Sequence, residues 1–153
     1  MQLLLVRHAH ALEGEPDETR RLSVRGWRQV RTVGGFLQRR KLVTARECWH
    51  SPLVRAGETA RGLAEHLEFN RLRTVDGLLP EDDPRIFARV LARTRRSVLV
   101  VGHEPHLSAL ASLLLAGAPE PALIALRKGA VAALERERGR YRLLWLADPA
   151  LMG

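Results

Sequence analysis

The sequence predicts an α/β protein, a three-layer α/β/α sandwich around a mostly parallel sheet, and three observations predict it. Leu3–Val6 and Val98–Val101 are short unbroken apolar runs, the pattern of strands buried on both faces. Segments with apolar residues three or four apart follow such runs, as amphipathic helices do. Strand, turn and helix recur three times along the chain, which implies parallel strands joined by helical crossovers.

Taken in order, Leu3–Val6 forms the first strand and stops at Arg7. Ala11–Arg21, with Gly14, Pro16 and several charges, reads as a loop leaving its carboxyl end. Ser23 caps a helix over 24–40, whose apolar face is Trp27, Val30, Val33 or Gly34, and Leu37. A second strand, Glu47–His50, ends at Ser51-Pro52, and proline at the first helical position opens a helix to about His66. A third strand is expected at 72–75. A loop containing Pro80, Glu81, Asp82 and Asp83 follows it, then a helix to about Thr94. The strand at 97–101 ends at Gly102-His103-Glu104-Pro105 before a helix over 106–116. The runs 130–134 and 141–146 flank a polar stretch with Gly139 and read as a hairpin closing the sheet.

With 153 residues, 46% hydrophobic and 27% charged, the chain suits one domain spanning residues 1–153 and lacks the composition of a disordered segment. No apolar run approaches the ~20 residues that span a bilayer. Cys48 is the only cysteine, so no internal disulfide forms, and its expected role is that of a small buried hydrophobe. These features together lead to the expectation of a cytoplasmic protein without a membrane partner. The net charge is +8, and 23 of the 25 basic residues are arginine. That dominance reads as compositional bias, and the arginine clusters at 39–41, 93–96 and 136–142 as solvated faces. Trp27, Trp49 and Trp145 are too isolated to form a stacking platform for bases, so nucleic acid is not the expected partner.

Functional groups in open α/β sheets gather beyond the carboxyl ends of the strands. There the chain presents Arg7 and His8, then Ser51 and Arg55, then His103, with Arg20 in the first long loop. Several guanidinium groups beside two imidazoles suit a tetrahedral dianion, because each arginine offers a planar fork of donors to phosphate oxygens. A neutral imidazole is also a competent nucleophile toward phosphorus, and neighbouring positive charge keeps it neutral. No glycine-rich phosphate loop of the Gly-Lys-Ser type occurs, and arginine neighbours repel a metal cation. No cofactor is expected.

Three segments carry a resemblance to a known family: Leu5-Val6-Arg7-His8-Ala9, Ser51-Pro52-Leu53-Val54-Arg55-Ala56-Gly57-Glu58-Thr59-Ala60, and Val100-Val101-Gly102-His103-Glu104-Pro105. The chain resembles the histidine phosphatase superfamily, also called phosphoglycerate-mutase-like or Arg-His-Gly phosphatases. Its length and the segment Arg20-Arg21-Leu22-Ser23-Val24-Arg25-Gly26 look most like the SixA-type phosphohistidine phosphatases. The resemblance implies that His8 is the nucleophile that becomes phosphorylated. By the same resemblance Arg7, Arg55 and Arg20 bind phosphate, and His103 donates to the phosphoryl oxygens. The superfamily commonly places a general acid after the second motif, and the nearest candidates are Glu81 and Asp82, with Glu104 less favoured. Ala9 departs from the family's usual glycine.

The 47 residues between Arg55 and His103 (positions 56 to 102) leave no room for the helical roof of the sugar-phosphate mutases, so an open pocket is expected. Such a pocket favours a phosphorylated protein substrate, for example a histidine-containing phosphotransfer domain. Two alternatives stay open: a phosphatase of small esters such as sugar or nucleotide-derived phosphates, and a phosphate-binding module without turnover.

Overall fold

A computed structural model describes all residues, 1–153. Six strands form one sheet: β1 (Gln2–Arg7), β2 (Glu47–His50), β3 (Arg71–Thr74), β4 (Val98–Gly102), β5 (Val131–Glu137) and β6 (Arg140–Ala147). Four helices connect them: α1 (Val24–Arg39), α2 (Val54–Ala64), α3 (Pro84–Ala92) and α4 (His106–Ala116). The strand order is β3-β2-β4-β1-β5-β6, with β3, β2, β4 and β1 parallel and the β5–β6 hairpin antiparallel against β1. The α/β sandwich with a mostly parallel sheet is therefore the architecture expected from the sequence.

The alternation of side chains along β1 divides the core into two halves. Leu4 and Val6 join Val30, Val33 and Leu37 of α1 and Ala56, Ala60 and Leu63 of α2 on one face. Leu3 and Leu5 join Phe87 and Leu91 of α3 and Leu107, Leu110 and Ala111 of α4 on the other. An unbroken apolar run thus serves two helix layers at once. Cys48 lies in the first half, fully buried, and burial pushes its thiol up to about 12.

Several boundaries differ from the expectation for identifiable reasons. Pro52 does not open α2. The Ser51 hydroxyl accepts from the Leu53 amide, so the chain bends at 51–53 and the helix starts at Val54. The α2 helix ends at Ala64, two residues before His66. The third strand is displaced by one residue, to Arg71–Thr74. The hairpin strands run on through the charged stretch to a two-residue turn. There Arg138 and Gly139 have φ of +52° and +77°, both in the left-handed region that tight hairpin turns require. The first long loop contains one 3-10 turn, Asp17–Thr19.

The entry to α1 is locked to the segment after β1. The Ser23 hydroxyl accepts from the Gly26 amide and bonds the His10 ring, and the Ser23 amide donates to the His10 carbonyl. The helix approaches so closely that a Cβ on Gly26 would lie 2.0 Å from the His10 carbonyl oxygen. Gly26→Ala is expected to destabilise the protein by about 1–3 kcal/mol, the usual range for overpacking. Denaturant unfolding of the two proteins checks this.

Candidate active site

The carboxyl ends of β1, β2 and β4 meet at one place. β1 delivers Arg7 and His8, the turn after β2 delivers Ser51, the first turn of α2 delivers Arg55, and β4 leads into His103. The register holds them together: the His8 amide donates to the Gly102 carbonyl at 3.0 Å, and the Ser51 amide to the Val101 carbonyl at 3.1 Å. The rings of His8 and His103 lie with centroids 5.1 Å apart. Sequence positions 8, 55 and 103 are thus brought together at one end of the sheet.

His8 is buried, and its Nδ1–H donates to the Ala9 carbonyl at 2.7 Å. That bond sets the tautomer, because a carbonyl only accepts, and leaves Nε2 with its lone pair. Burial is the largest cause lowering the His8 pKa to about 4, and the positive charges of Arg55, Arg7 and Lys128 lower it further against the Ala9 bond. At neutral pH the ring is uncharged. The Ala9 amide is held in turn by Thr59 Oγ1 at 3.1 Å, and Thr59 donates back to the Arg55 carbonyl at 2.7 Å. One hydroxyl of α2 therefore ties the segment after His8 to the helix that carries Arg55.

His103 is likewise neutral, its pKa lowered to about 3 first by burial and then by His8 and Arg55. Its Nε2 lies 2.5 Å from Ser51 Oγ. The Ser51 hydroxyl, which accepts from the Leu53 amide, has Nε2 as the one acceptor for its own proton, and donating there places the ring proton on Nδ1. That Nδ1 is buried without a partner in the protein, as are Nε of Arg7 and Nε of Arg55. Buried donors are almost always satisfied, so three unspent ones around a histidine lone pair describe a receptor for acceptor oxygens.

A family model for the histidine phosphatase superfamily (branch 1) matches residues 3–79. The chain belongs to this superfamily. Among solved structures, it is similar to the protein histidine phosphatase SixA complexed with tungstate, with 24% identity over 98% of each chain and a TM-score of 0.88. It is also similar to an alpha-ribazole phosphatase from Shigella flexneri, with 17% identity over 97% of each chain and a TM-score of 0.79. A third is a phosphoserine phosphatase from Entamoeba histolytica in complex with 3-phosphoglyceric acid, with 16% identity over 96% of each chain and a TM-score of 0.73. At these identities the likeness establishes the histidine phosphatase fold. Comparison with curated protein sequences gives no match.

The remaining arginines are held by the protein itself. Arg7 Nη1 donates to the Leu126 carbonyl at 3.0 Å, which leaves its Nε side free. Arg55 stands in the first turn of α2, where the positive end of the helix dipole disfavours a cation, yet it is buried. Both of its terminal nitrogens are engaged by Asp17: Nη1 with the backbone carbonyl at 3.0 Å and Nη2 with Oδ2 at 3.2 Å. Arg20 reaches the same residue, Nη1 to Asp17 Oδ1 at 3.0 Å, while its Nε donates to the Leu12 carbonyl at 2.7 Å. Sequence reasoning placed Arg20 beside the site and missed Asp17. It left Ser51 without a role.

The carboxylates singled out in the sequence are placed differently. Glu81 is exposed in the turn after Pro80 and makes no hydrogen bond or ion pair with the site residues. Asp82 accepts from the Leu79 amide at 2.9 Å and shapes that turn. Glu104 is spent on the amide and hydroxyl of Ser108 and the amide of Leu126. Buried Glu58, in the second motif, accepts from the Leu22 amide at 2.8 Å and from Arg21, fixing the chain where the first long loop returns.

Both rings are expected to titrate far below an ordinary histidine. Because their folded pKa values are depressed, the unfolded chain binds more protons from pH 6.5 down to about 4 at His8 and about 3 at His103, so stability falls as pH drops through that window. NMR titration of the imidazole signals should give midpoints near 4 for His8 and 3 for His103, and a midpoint near 6.5 for either contradicts the buried neutral site.

Proposed function

We propose that the protein is a metal-independent phosphatase that works through a phosphohistidine on His8. The observation that carries this reading is the state of the His8 ring, neutral at pH 7 with Nδ1–H committed to Ala9 and the Nε2 lone pair among unspent donors. The superfamily membership supports it.

In the first step Nε2 of His8 forms a bond to phosphorus as the bond to the leaving group breaks. Charge on the three equatorial oxygens is met by Arg7, Arg55, Arg20 and Nδ1–H of His103, donors fixed before the reaction. In the second step water attacks the phosphohistidine, phosphate departs, and His8 regains its lone pair. The leaving group then decides the need for an acid. An alkoxide requires a proton donor, the role for which Glu81 is a candidate, whereas an imidazole leaving group takes its proton from solvent. The carboxylate bonded to a site arginine, Asp17, is held ionised by Arg20 and Arg55, an arrangement that suits a phosphohistidine leaving group better than an alkoxide.

The fold around the site supports a protein as the bearer of that phosphohistidine. Between α2 and β4 the chain forms only β3 and α3, with no inserted helical roof over the strand ends. An approach without such a roof suits a side chain presented on another folded surface, such as a histidine-containing phosphotransfer domain. The solved SixA structure is that of a protein histidine phosphatase. No helix of this chain is long and apolar enough to cross a membrane.

Incubation with a labelled phosphohistidine peptide is expected to place base-stable, acid-labile phosphate on the wild type and none on His8→Ala. Turnover of the peptide should exceed that of an aryl phosphate and be unaffected by chelator. Arg55→Ala should lower kcat by roughly a hundredfold or more. Preference for the aryl ester would instead indicate a small-ester phosphatase, and absence of label and of released phosphate a binding module.

A further inference from the structure

The first long loop has an unusual attachment. Residues 12–19 are all exposed, so no apolar side chain anchors the loop to the core. At its base Ala11 and Leu22 form an isolated antiparallel bridge. At its far end only Asp17 bonds to a buried residue, Arg55 of the candidate site. Its two carboxylate oxygens serve different partners, Oδ1 the Arg20 guanidinium and Oδ2 that of Arg55. Its backbone carbonyl accepts from Arg55 Nη1 and from the Arg20 amide, at 3.0 and 3.2 Å.

The donors that remain after these bonds matter most. Asp17 takes the terminal end of the Arg55 fork, which presents the buried, unpartnered Nε edge. On Arg20 the bonds to Leu12 and Asp17 engage Nε and Nη1, and Nη2 has no partner in the protein. A shared carboxylate also offsets the repulsion between two guanidinium groups that would otherwise drive the more exposed Arg20 into solvent.

We infer that Asp17 is a positioning residue for phosphate binding: by bridging Arg20 and Arg55 it aligns their free donor edges on one oxyanion. The inference rests on the phosphatase reading of this site and deepens it. Arg20 and Arg55 hold Asp17 below the usual carboxylate range, the Arg20 hydrogen bond contributing most, so it stays ionised at neutral pH and is not the proton donor of the reaction. It acts through the arginines and does not touch the reacting atoms.

The alternative is a carboxylate that merely occupies the anion site as a counterion, and the two differ in sign. Tungstate binding, measured by calorimetry at pH 7 on the wild type, Asp17→Asn, Asp17→Ala, Arg20→Ala and the double variant Asp17→Ala/Arg20→Ala, separates them. A positioning role makes Asp17→Ala bind about tenfold or more weakly, the scale on which small misplacements of binding groups act. Asp17→Asn, which keeps one acceptor oxygen, should fall between it and the wild type. The Asp17→Ala effect should shrink in the Arg20→Ala background, because the two residues act as a unit. Equal or tighter binding by Asp17→Asn and Asp17→Ala, or strict additivity with Arg20→Ala, overturns the inference. Failure of the wild type to bind tungstate would be a different result, since it removes the phosphatase reading itself.

Discussion

Two arginines and two imidazoles share the interior end of the sheet with some of their donors unspent, and the rest of the site is arranged around that constraint. Burying cationic groups is costly unless they are bonded. Here each guanidinium is bonded on one side only, Arg7 by the Leu126 carbonyl and Arg55 by Asp17. Their charge falls on the rings beside them, and together with burial it keeps His8 and His103 neutral. A neutral nucleophile with its lone pair set by a backbone carbonyl is the consequence that the proposed chemistry uses.

Packing supplies the geometry. Ala56 and Ala60 let α2 lie close to the sheet, which brings the first turn of the helix, with Arg55, to the ends of β1 and β4. Thr59 on the same helix holds the Ala9 amide, so the backbone carrying the His8 acceptor moves with α2. Gly26 allows α1 to rest on the His10 carbonyl, and Glu58 holds the Leu22 amide at the return of the loop. Helix packing and site alignment are thus parts of one structure, and small side chains matter at the contacts as much as the charged ones do in the pocket.

Much of this was legible in the sequence because it depends on period and position. Apolar runs such as Leu3–Val6 and Val98–Val101 announce buried strands, and a parallel sheet puts whatever follows them at one end. His8, Arg55 and His103 therefore group together from the sequence alone. Side-chain hydrogen bonding carries no such signal. Asp17 sits in a stretch without periodicity, and its partners depend on how the loop turns back from Pro16. Pro52 reads as a helix start because proline at the first helical position is a strong local rule. The Ser51 hydroxyl overrides that rule by accepting from Leu53 while it orients His103. The hairpin at 130–146 is legible, but its strands extend into the charged stretch, to Glu137 and from Arg140, because exposed ladder strands tolerate charge when the turn geometry is favourable.

The most direct test is a crystal structure with vanadate, a mimic of the five-coordinate phosphorus at the moment of transfer. The expected result is vanadium bonded to Nε2 of His8, with equatorial oxygens within hydrogen-bond distance of Arg7 Nε, Arg55 Nε and His103 Nδ1. Vanadate bound elsewhere, or held here with the His8 Nε2 turned away from it, would contradict the account.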